Sequence, residues 1–365
     1  MPGSRRAPTL HDVARLAGVS VSTTSRALSD YGSSSPDTRE AVRAAATQLG
    51  YHRNSLARSM ITGNTETIGV VCADVGSPFF SEAVRAIADR AGTRGFSTLI
   101  VNTDEDLDAE LAAIDLLREK QVDGLIVAPA DVQRVDHLAA FQQEGRPIVL
   151  IDRSSAGLKA DSVTVDDVQA VRDAVTYLID RGHGRIGIVT ELRTDREADW
   201  ASLLGNLHDV ERGTLNPSAR RLLGYLRAHE AAGLEVDPAL VARTGATSTE
   251  SARQATQRLL ELRRRPTALI SVDNTTSVGA YGAVRALGLR VPDDVSFVAF
   301  DNLDWTTLVT PALTVVEQPV HALGVRAADL LIGRLLEDCS DPAEHLLETR
   351  LIERGSTRRI RQRRA

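Results

Sequence analysis

Cysteine is nearly absent from this 365-residue chain. Only Cys72 and Cys339 occur, which excludes a disulfide framework and a cysteine-rich zinc site. No run of about 18 apolar residues appears, so no helical membrane span is expected. The stretch from Met1 to Arg6 leads into no apolar segment, so a signal peptide is not expected and a cytoplasmic location is. Enzyme motifs are missing too. There is no G-x-x-x-x-G-K-[ST] loop, no H-E-x-x-H and no G-x-S-x-G elbow. Gly182-His183-Gly184-Arg185-Ile186-Gly187 matches G-x-G-x-x-G by letter, but it precedes an apolar strand instead of following one. A dinucleotide loop must open a helix so that its amides face the pyrophosphate, so this segment reads as a helix-to-strand turn. No catalytic residue, metal ligand or cofactor is therefore assigned.

With 42% hydrophobic and 25% charged residues, the composition is that of a globular protein, and the length suits two or three domains. Charge is unevenly spread. Residues 1–63 carry 8 Lys/Arg against 4 Asp/Glu, residues 64–357 carry 30 against 45, and residues 358–365 carry five Arg. A basic head on an acidic body suits one module that meets a polyanion and another that does not. A solvated head with chance charges is the alternative.

The head reads as three short helices. Leu10, Val13, Ala14 and Ala17 fall on one helical face, and Gly18 stops that helix. Ser20 can cap the next, over about 21–28. Ser35, Pro36 and Asp37 start a third, with Val42, Ala45, Ala46 and Leu49 as its apolar stripe and Gly50 as its C-cap. Helix, glycine turn and serine-capped helix make a helix-turn-helix pattern. Val21, Ser22 and Arg26 sit at the groove-facing end of the second helix, where small side chains permit close approach and Arg26 suits a phosphate or a guanine edge. A ligand-free three-helix bundle would have the same core.

After Thr65 the pattern changes. Val/Ile-rich runs over 67–73, 97–102, 122–128, 147–152, 185–190, 268–272 and 295–300 alternate with amphipathic helical segments. Continuous apolar strands between helices imply parallel sheet covered on both faces, and about 290 residues of it imply two α/β lobes. Ligands of such folds sit at the carboxyl ends of strands, so facing lobes make a cleft.

The chain resembles the lactose-repressor (LacI/GalR) family of bacterial transcription regulators over 9–357. The marks are Leu10-x-Asp12-Val13-Ala14-x-x-Ala17-Gly18-Val19-Ser20, Ser25-Arg26, and Thr38-Arg39-x-x-Val42 running to Leu49-Gly50-Tyr51. Asn54-x-x-Ala57-Arg58-Ser59, Ser77-Pro78-Phe79-Phe80, Asp123-Gly124-Leu125-Ile126, Ile151-Asp152-Arg153 and Gly182-His183 follow. Arg221-x-x-Gly224-Tyr225, Val291-Pro292-x-Asp294-Val295-Ser296, Phe300-Asp301 and Leu313-Thr314-x-Val316-x-Gln318 complete the series. Their order and spacing together are specific where each alone is not.

The resemblance implies an all-α helix-turn-helix head plus an α/β core of two doubly wound parallel-sheet lobes like periplasmic sugar-binding proteins. The expected divisions are 1–52 for the head, 53–64 for a hinge helix and linker, 65–357 for the effector-binding and dimerisation core, and 358–365 for a disordered basic tail. It implies a homodimeric regulator, expected to be a repressor, that binds pseudo-palindromic double-stranded operator DNA and answers to a small-molecule effector, a sugar or related metabolite. Thr9, Val21, Ser22, Thr23, Ser25 and Arg26 would face DNA, and the hinge would add Asn54, Ala57, Arg58 and Met60. Met60 stands where the family usually has Leu, and apolar side chains of either kind wedge into a minor-groove base step. Effector candidates are Asp74, Phe79, Phe80, Asp152, Arg221, Asn274, Asp301 and Trp305, the acids and Arg221 bonding hydroxyl groups and an aromatic ring stacking on a sugar or base.

Three departures from the family pattern bear on function. Arg53 replaces the usual Pro before the hinge. Asp273-Asn274 reverses the usual Asn-Asp, moving the carboxylate by one residue. The segment from Glu191 to Pro217, with Trp200, Leu203 and Leu204, is about twenty residues longer than expected, and long connections are often functional. The last two put a standard sugar inducer in doubt. Rival readings are a sugar-binding protein without a DNA role, for which the head has no use, and an enzyme on the same lobes, which would need a turnover motif. No leucine-zipper-like heptads follow Ser356, which favours a dimer over a tetramer.

Overall fold

The computed structural model describes residues 8–28, 34–51, 64–192, 215–245, 248–336 and 339–360. The chain divides after Thr65 into two units. The first contains α1 (Leu10–Ala17), α2 (Val21–Leu28) and α3 (Pro36–Leu49). Gly18 adopts the left-handed conformation with φ 68° and closes α1, a geometry that costs glycine nothing. The Ser20 hydroxyl accepts the Thr23 amide at 3.1 Å, and Ser35 accepts the Thr38 amide at 3.3 Å, so both predicted caps form. The unit closes on a small core of Val13, Ala27, Val42, Ala45 and Ala46.

The second unit holds two lobes, each a six-stranded sheet. In chain order its elements are β1 (Thr67–Cys72), α4 (Pro78–Thr93), β2 (Ser97–Asn102), α5 (Leu107–Glu119), β3 (Gly124–Val127), α6 (Asp136–Gln143), β4 (Ile148–Ile151) and β5 (Asp161–Val165). Then come α7 (Asp167–Ile179), β6 (Ile186–Thr190), α8 (Pro217–Ala231), β7 (Val241–Arg243), α9 (Thr249–Leu260), β8 (Ala268–Ser271), α10 (Asn274–Ala286) and β9 (Ser296–Phe300). The last elements are α11 (Trp305–Leu308), β10 (Thr314–Glu317), α12 (Val320–Leu335), β11 (Glu344–Leu347) and β12 (Arg350–Ile352).

The first sheet runs β11-β5-β4-β3-β1-β2, parallel throughout, and the second runs β12-β10-β9-β8-β6-β7. The second sheet departs from the all-parallel expectation at one edge, where β12 pairs antiparallel with β10. Strand residues alternate between two cores. In the first lobe Ile68, Val70, Ile126 and Val149 meet Ile87, Leu323 and Leu331 of α4 and α12 on one face. Val71, Leu125, Val127 and Leu150 meet Ile114, Leu117 and Phe141 of α5 and α6 on the other. The second lobe repeats this plan, with α7 and α8 on one face and α9 and α10 on the other.

Every predicted strand contains an observed one. β5, β7, β10, β11 and β12 were not marked as strands, because β7 and β12 are three residues long and β11 is a half-exposed edge. The chain passes between the lobes at 165–167, 317–320 and 347–350, so the lobes are joined by three short segments. The tail corrects an expectation. Residues 358–360 are anchored instead of loose, since the Arg358 amide donates to Ser296 Oγ at 3.1 Å and the Ile360 amide to Arg181 O at 2.8 Å. Residues 361–365 lie outside the described residues.

Candidate functional site

In the head, α2 buries Thr24 and Ala27 and exposes Ser22, Ser25 and Arg26, with Val21 and Thr23 half-buried. Arg26 Nε donates to Ser22 O at 3.2 Å, which lays the guanidinium along the helix. The Thr23 and Ser20 hydroxyls bond at 2.7 Å, so Thr23 is part of the cap as well as a surface candidate. Thr9 likewise works at a helix end, its hydroxyl and amide both donating to Asp12 at 2.7 and 2.9 Å. Asn54, Ala57, Arg58 and Met60, together with Arg53, lie outside the described residues.

In the core unit, the carboxyl ends of strands from both sheets surround a cavity of about 450 Å³. Of the effector candidates, Asp74, Phe79, Phe80, Asp152, Arg221, Asn274 and Asp301 line it. Trp305 does not line it. Its indole Nε1 instead donates to Asn274 Oδ1 at 3.0 Å, while its ring packs 6.1 Å from Tyr281, so it orients Asn274 from behind. Phe79 and Phe80 open α4 with rings 5.0 Å apart in a T-shape. Phe80 is buried in the lobe core and Phe79 is the more open of the pair. Asp74 accepts the Gly76 amide at 2.8 Å in the turn after β1.

The two lobes present matching carboxylates. Asp152 follows β4 and Asp301 follows β9, with φ of 68° and 71°. The amide of Asp152 donates to Val163 O at 3.0 Å and that of Asp301 to Val316 O at 2.9 Å, each bond to the next strand of its sheet. Left-handed backbone is unusual outside glycine and is tolerated best by Asp and Asn, so both strand ends favour this residue type. Burial pushes Asp152 up to about 6 despite the pull of Arg153 and Arg221. Burial also raises Asp301, which accepts Gln318 Nε2 at 2.8 Å.

Arg221 is committed to the protein more than to the cavity. Its Nε donates to Asp167 Oδ1 at 2.8 Å and Nη1 to Val272 O at 2.6 Å, and the guanidinium lies 4.1 Å from the Phe300 ring centroid. Arg220 Nε shares the same carboxylate at 3.6 Å. Burial opposes the Arg221 charge, yet Asp167, Asp152 and Asp301 outweigh it and hold the group protonated. Gly224 makes this placement possible. A Cβ there would stand 2.3 Å from Val168 O, so only glycine lets α8 seat on α7 closely enough.

Several lining residues escaped selection from sequence. Arg153 bridges Glu105 and Asp152 and donates to Pro129 O at 2.8 Å. Gln318 and Arg153 stood inside quoted motifs; Glu105 and Glu191 carried no signal beyond closeness to a strand end. The reversed pair is explained by capping. Asp273 is the N-cap of α10, accepting the Thr276 amide at 2.8 Å, and burial raises it to about 6. The carboxylate therefore serves the helix, while Asn274 turns its oxygen to Trp305 and leaves its Nδ2 toward the cavity. Glu191 rises to about 8 through burial and the neighbouring Asp273 and Glu105 charges. Of the long segment, 193–214, including Trp200, Leu203 and Leu204, lies outside the described residues. Among the described residues, no set of three or more His, Cys, Asp or Glu is placed to share a metal ion, and no helix is long and apolar enough to cross a membrane.

Comparison with known proteins gives two family matches. Residues 9–54 match the bacterial regulatory proteins of the lacI family, and residues 65–354 match periplasmic binding proteins and the sugar-binding domain of the LacI family. The transcriptional repressor CytR of Escherichia coli K12 is 32% identical over 356 residues, 97% of each chain. The repressor PurR of Proteus mirabilis is 32% identical over 351 residues, 95% of this chain and 96% of its own. Among solved structures, the lac repressor dimer bound to operator and the anti-inducer ONPF superposes with a TM-score of 0.81 at 26% identity, covering 97% of this chain and 100% of that one.

Proposed function

The chain belongs to the LacI family of bacterial regulatory proteins, and from that membership we infer that it is a transcriptional regulator whose hold on operator DNA is set by a small molecule in the cleft of its core. The carrying observation is the union, in one chain, of a helix-turn-helix head with Ser22, Ser25 and Arg26 exposed on α2 and a two-lobed core with an acid-lined cavity. It represses, as its named relatives do, and it works in the cytoplasm where its DNA is. Residues Thr9, Val21, Ser22, Thr23, Ser25 and Arg26 meet the major groove, and Asn54, Ala57, Arg58 and Met60 form the hinge in the minor groove. The chemistry is binding and not turnover, since nothing in the cavity wall pairs a nucleophile with a base.

A second copy of the chain completes the reader. The edge strand β2 exposes Leu99 and Ile100, and α5 exposes Leu111 and Leu116, apolar surface that a homodimer would cover. Paired heads then read two half-sites related by the dimer axis, which makes the operator a pseudo-palindrome. Effector control follows from linkage: the ligand must bind the DNA-competent and DNA-incompetent states with different affinity. Selection of bound duplexes from random DNA at fixed near-physiological salt tests the reading. A recurring pseudo-palindrome is expected; no enriched sequence, with and without candidate effectors, would overturn it.

A further inference from the structure

The cavity wall is charged far beyond what hydroxyl recognition needs. Seven carboxylates line it against the two guanidinium groups of Arg153 and Arg221. Both cations are already engaged, Arg153 by Glu105 and Asp152, Arg221 by Asp167 behind the wall. Asp74, Asp104, Glu191, Asp273 and Asp301 have no ion-pair partner among the described residues. Within that set Glu191, Asp273 and Asp301 lie near enough that Asp273 raises Glu191 and Asp301 raises Asp273.

A second observation points the same way. Gln318 lines the cavity at 8% exposure, and its Oε1 is buried and accepts from no described group. Its orientation is fixed chemically. Asp301 can only accept while ionised, so the amide must turn Nε2 to it at 2.8 Å, leaving the oxygen as the unfilled end. A buried acceptor without a donor is costly, and a group that donates several hydrogen bonds and carries positive charge would satisfy it together with the adjacent carboxylates.

We propose that the effector is a hydroxyl-bearing molecule with a protonated amine, and that its ammonium group is held by Asp273, Asp301, Glu191 and Gln318 Oε1. The proposal rests on the reading of the cleft as the effector site and narrows it to a ligand class. Asp152 and Asn274, on either side of that cluster, bond the hydroxyl groups. An ammonium offers three donors and matches a wall made of acceptors, whereas a neutral polyol would have to fill the cavity while leaving most of this negative charge uncompensated.

The test uses the full chain, thermal unfolding and calorimetric titration, with matched probes at constant ionic strength. Glucose, galactose and ribose are set against glucosamine, galactosamine and methylammonium chloride. The expected result is that amino members raise Tm and bind at least about tenfold more tightly than their neutral counterparts, the margin between charge-assisted and neutral hydrogen bonds. Asp301→Asn and Asp273→Asn should each erase that preference. Asp273→Asn keeps a capping residue on α10, so its fold is retained. If neutral sugars bind as well as or better than the amines, the amine proposal falls and the cleft remains an effector site. If no probe in either set binds, the amine proposal and the placement of the effector in this cleft fall together. An advantage for the amines that survives both substitutions also overturns the assignment of the ammonium to these residues.

Discussion

Replacing Arg221 by Met separates a residue that holds the cleft together from one that merely greets a ligand. The side chain is 7% exposed and its Asp167 partner 1% exposed, so the substitution strands a carboxylate in the interior. It removes the 2.8 Å bond to Asp167, the 2.6 Å bond to Val272 O and the cation over Phe300. Breaking a buried pair from one side costs about 3–5 kcal/mol. Arg220 remains 3.6 Å from the other carboxylate oxygen, which forms no hydrogen bond, so compensation is partial and the lower end, about 3 kcal/mol, applies. At about 2–4 °C per kcal/mol for domains of this size, the core Tm should fall by about 6–12 °C without any ligand present. Adding Asp167→Asn removes the stranded charge, and part of the loss should return, with a coupling of at least about 1 kcal/mol in the double-mutant cycle. Thermal unfolding of the four proteins is the assay. A fall under about 2 °C for Arg221→Met, or no recovery in the double variant, would refute the claim that this guanidinium is a structural pin.

Other expectations are equally direct. Glu191 is raised to about 8, above its unfolded value near 4, so the folded state holds an extra proton between those limits and stability falls as pH rises toward 8. Buried His183 and His229 are shifted downward and titrate below this range, so between pH 6.5 and 8 the slope belongs to Glu191. Tm should drop by a few degrees across that interval and flatten in Glu191→Gln; a rising Tm contradicts the assignment. Arg26→Ala should weaken operator binding by about 1–3 kcal/mol in fluorescence anisotropy, and wild-type affinity should decline steeply with salt as counterions are released. A Cβ on Gly182 would lie 2.3 Å from Ile360 O, at φ 94°, so Gly182→Ala should release the 358–360 segment and expose the adjoining amides to hydrogen exchange. Unchanged protection at Arg358 and Ile360 would count against that docking.

How much of this was legible in sequence depends on how local the cause is. The caps at Ser20 and Ser35, the stop at Gly18 and the α1 and α3 stripes were legible because each depends on neighbours within a turn or two. The main strands were legible because burial on both faces makes continuous apolar runs. β12 was not, since its pairing with β10 joins segments about 35 residues apart in sequence and its three residues carry no period. In the cleft, Asp152 and Asp301 announced themselves by place, one residue past a strand. Trp305 misled because an aromatic near a strand end can face either the ligand or the residue that faces the ligand, and only the indole bond to Asn274 decides. Asp273 was legible as a departure, but its capping bond to Thr276 was needed to show which residue of the reversed pair the helix claims. The tail misled because its composition is that of a solvated segment, while its anchors are backbone groups that composition does not encode.

The placement of these residues also says how cleft occupancy can reach the lobes. Asp167, which pins Arg221, is the first residue of α7, immediately after the chain crosses from the first lobe to the second. Gln318, which donates to Asp301, lies on the second crossing, between β10 and α12. Two of the three connections on which any change of closure must turn are thus bonded to side chains of the cavity wall. Moving a two-state equilibrium from 1:99 to 99:1 takes a difference in ligand affinity of about 5.5 kcal/mol. A hydrogen bond to a charged group contributes about 1.5–3 kcal/mol, so two to four such contacts made in only one arrangement of the lobes are enough. Asp301, Asp273 and Glu191 offer contacts of that strength. A ligand that engages them in one lobe arrangement alone has the energy to switch the other, and one that engages them equally in both has none, however tightly it binds.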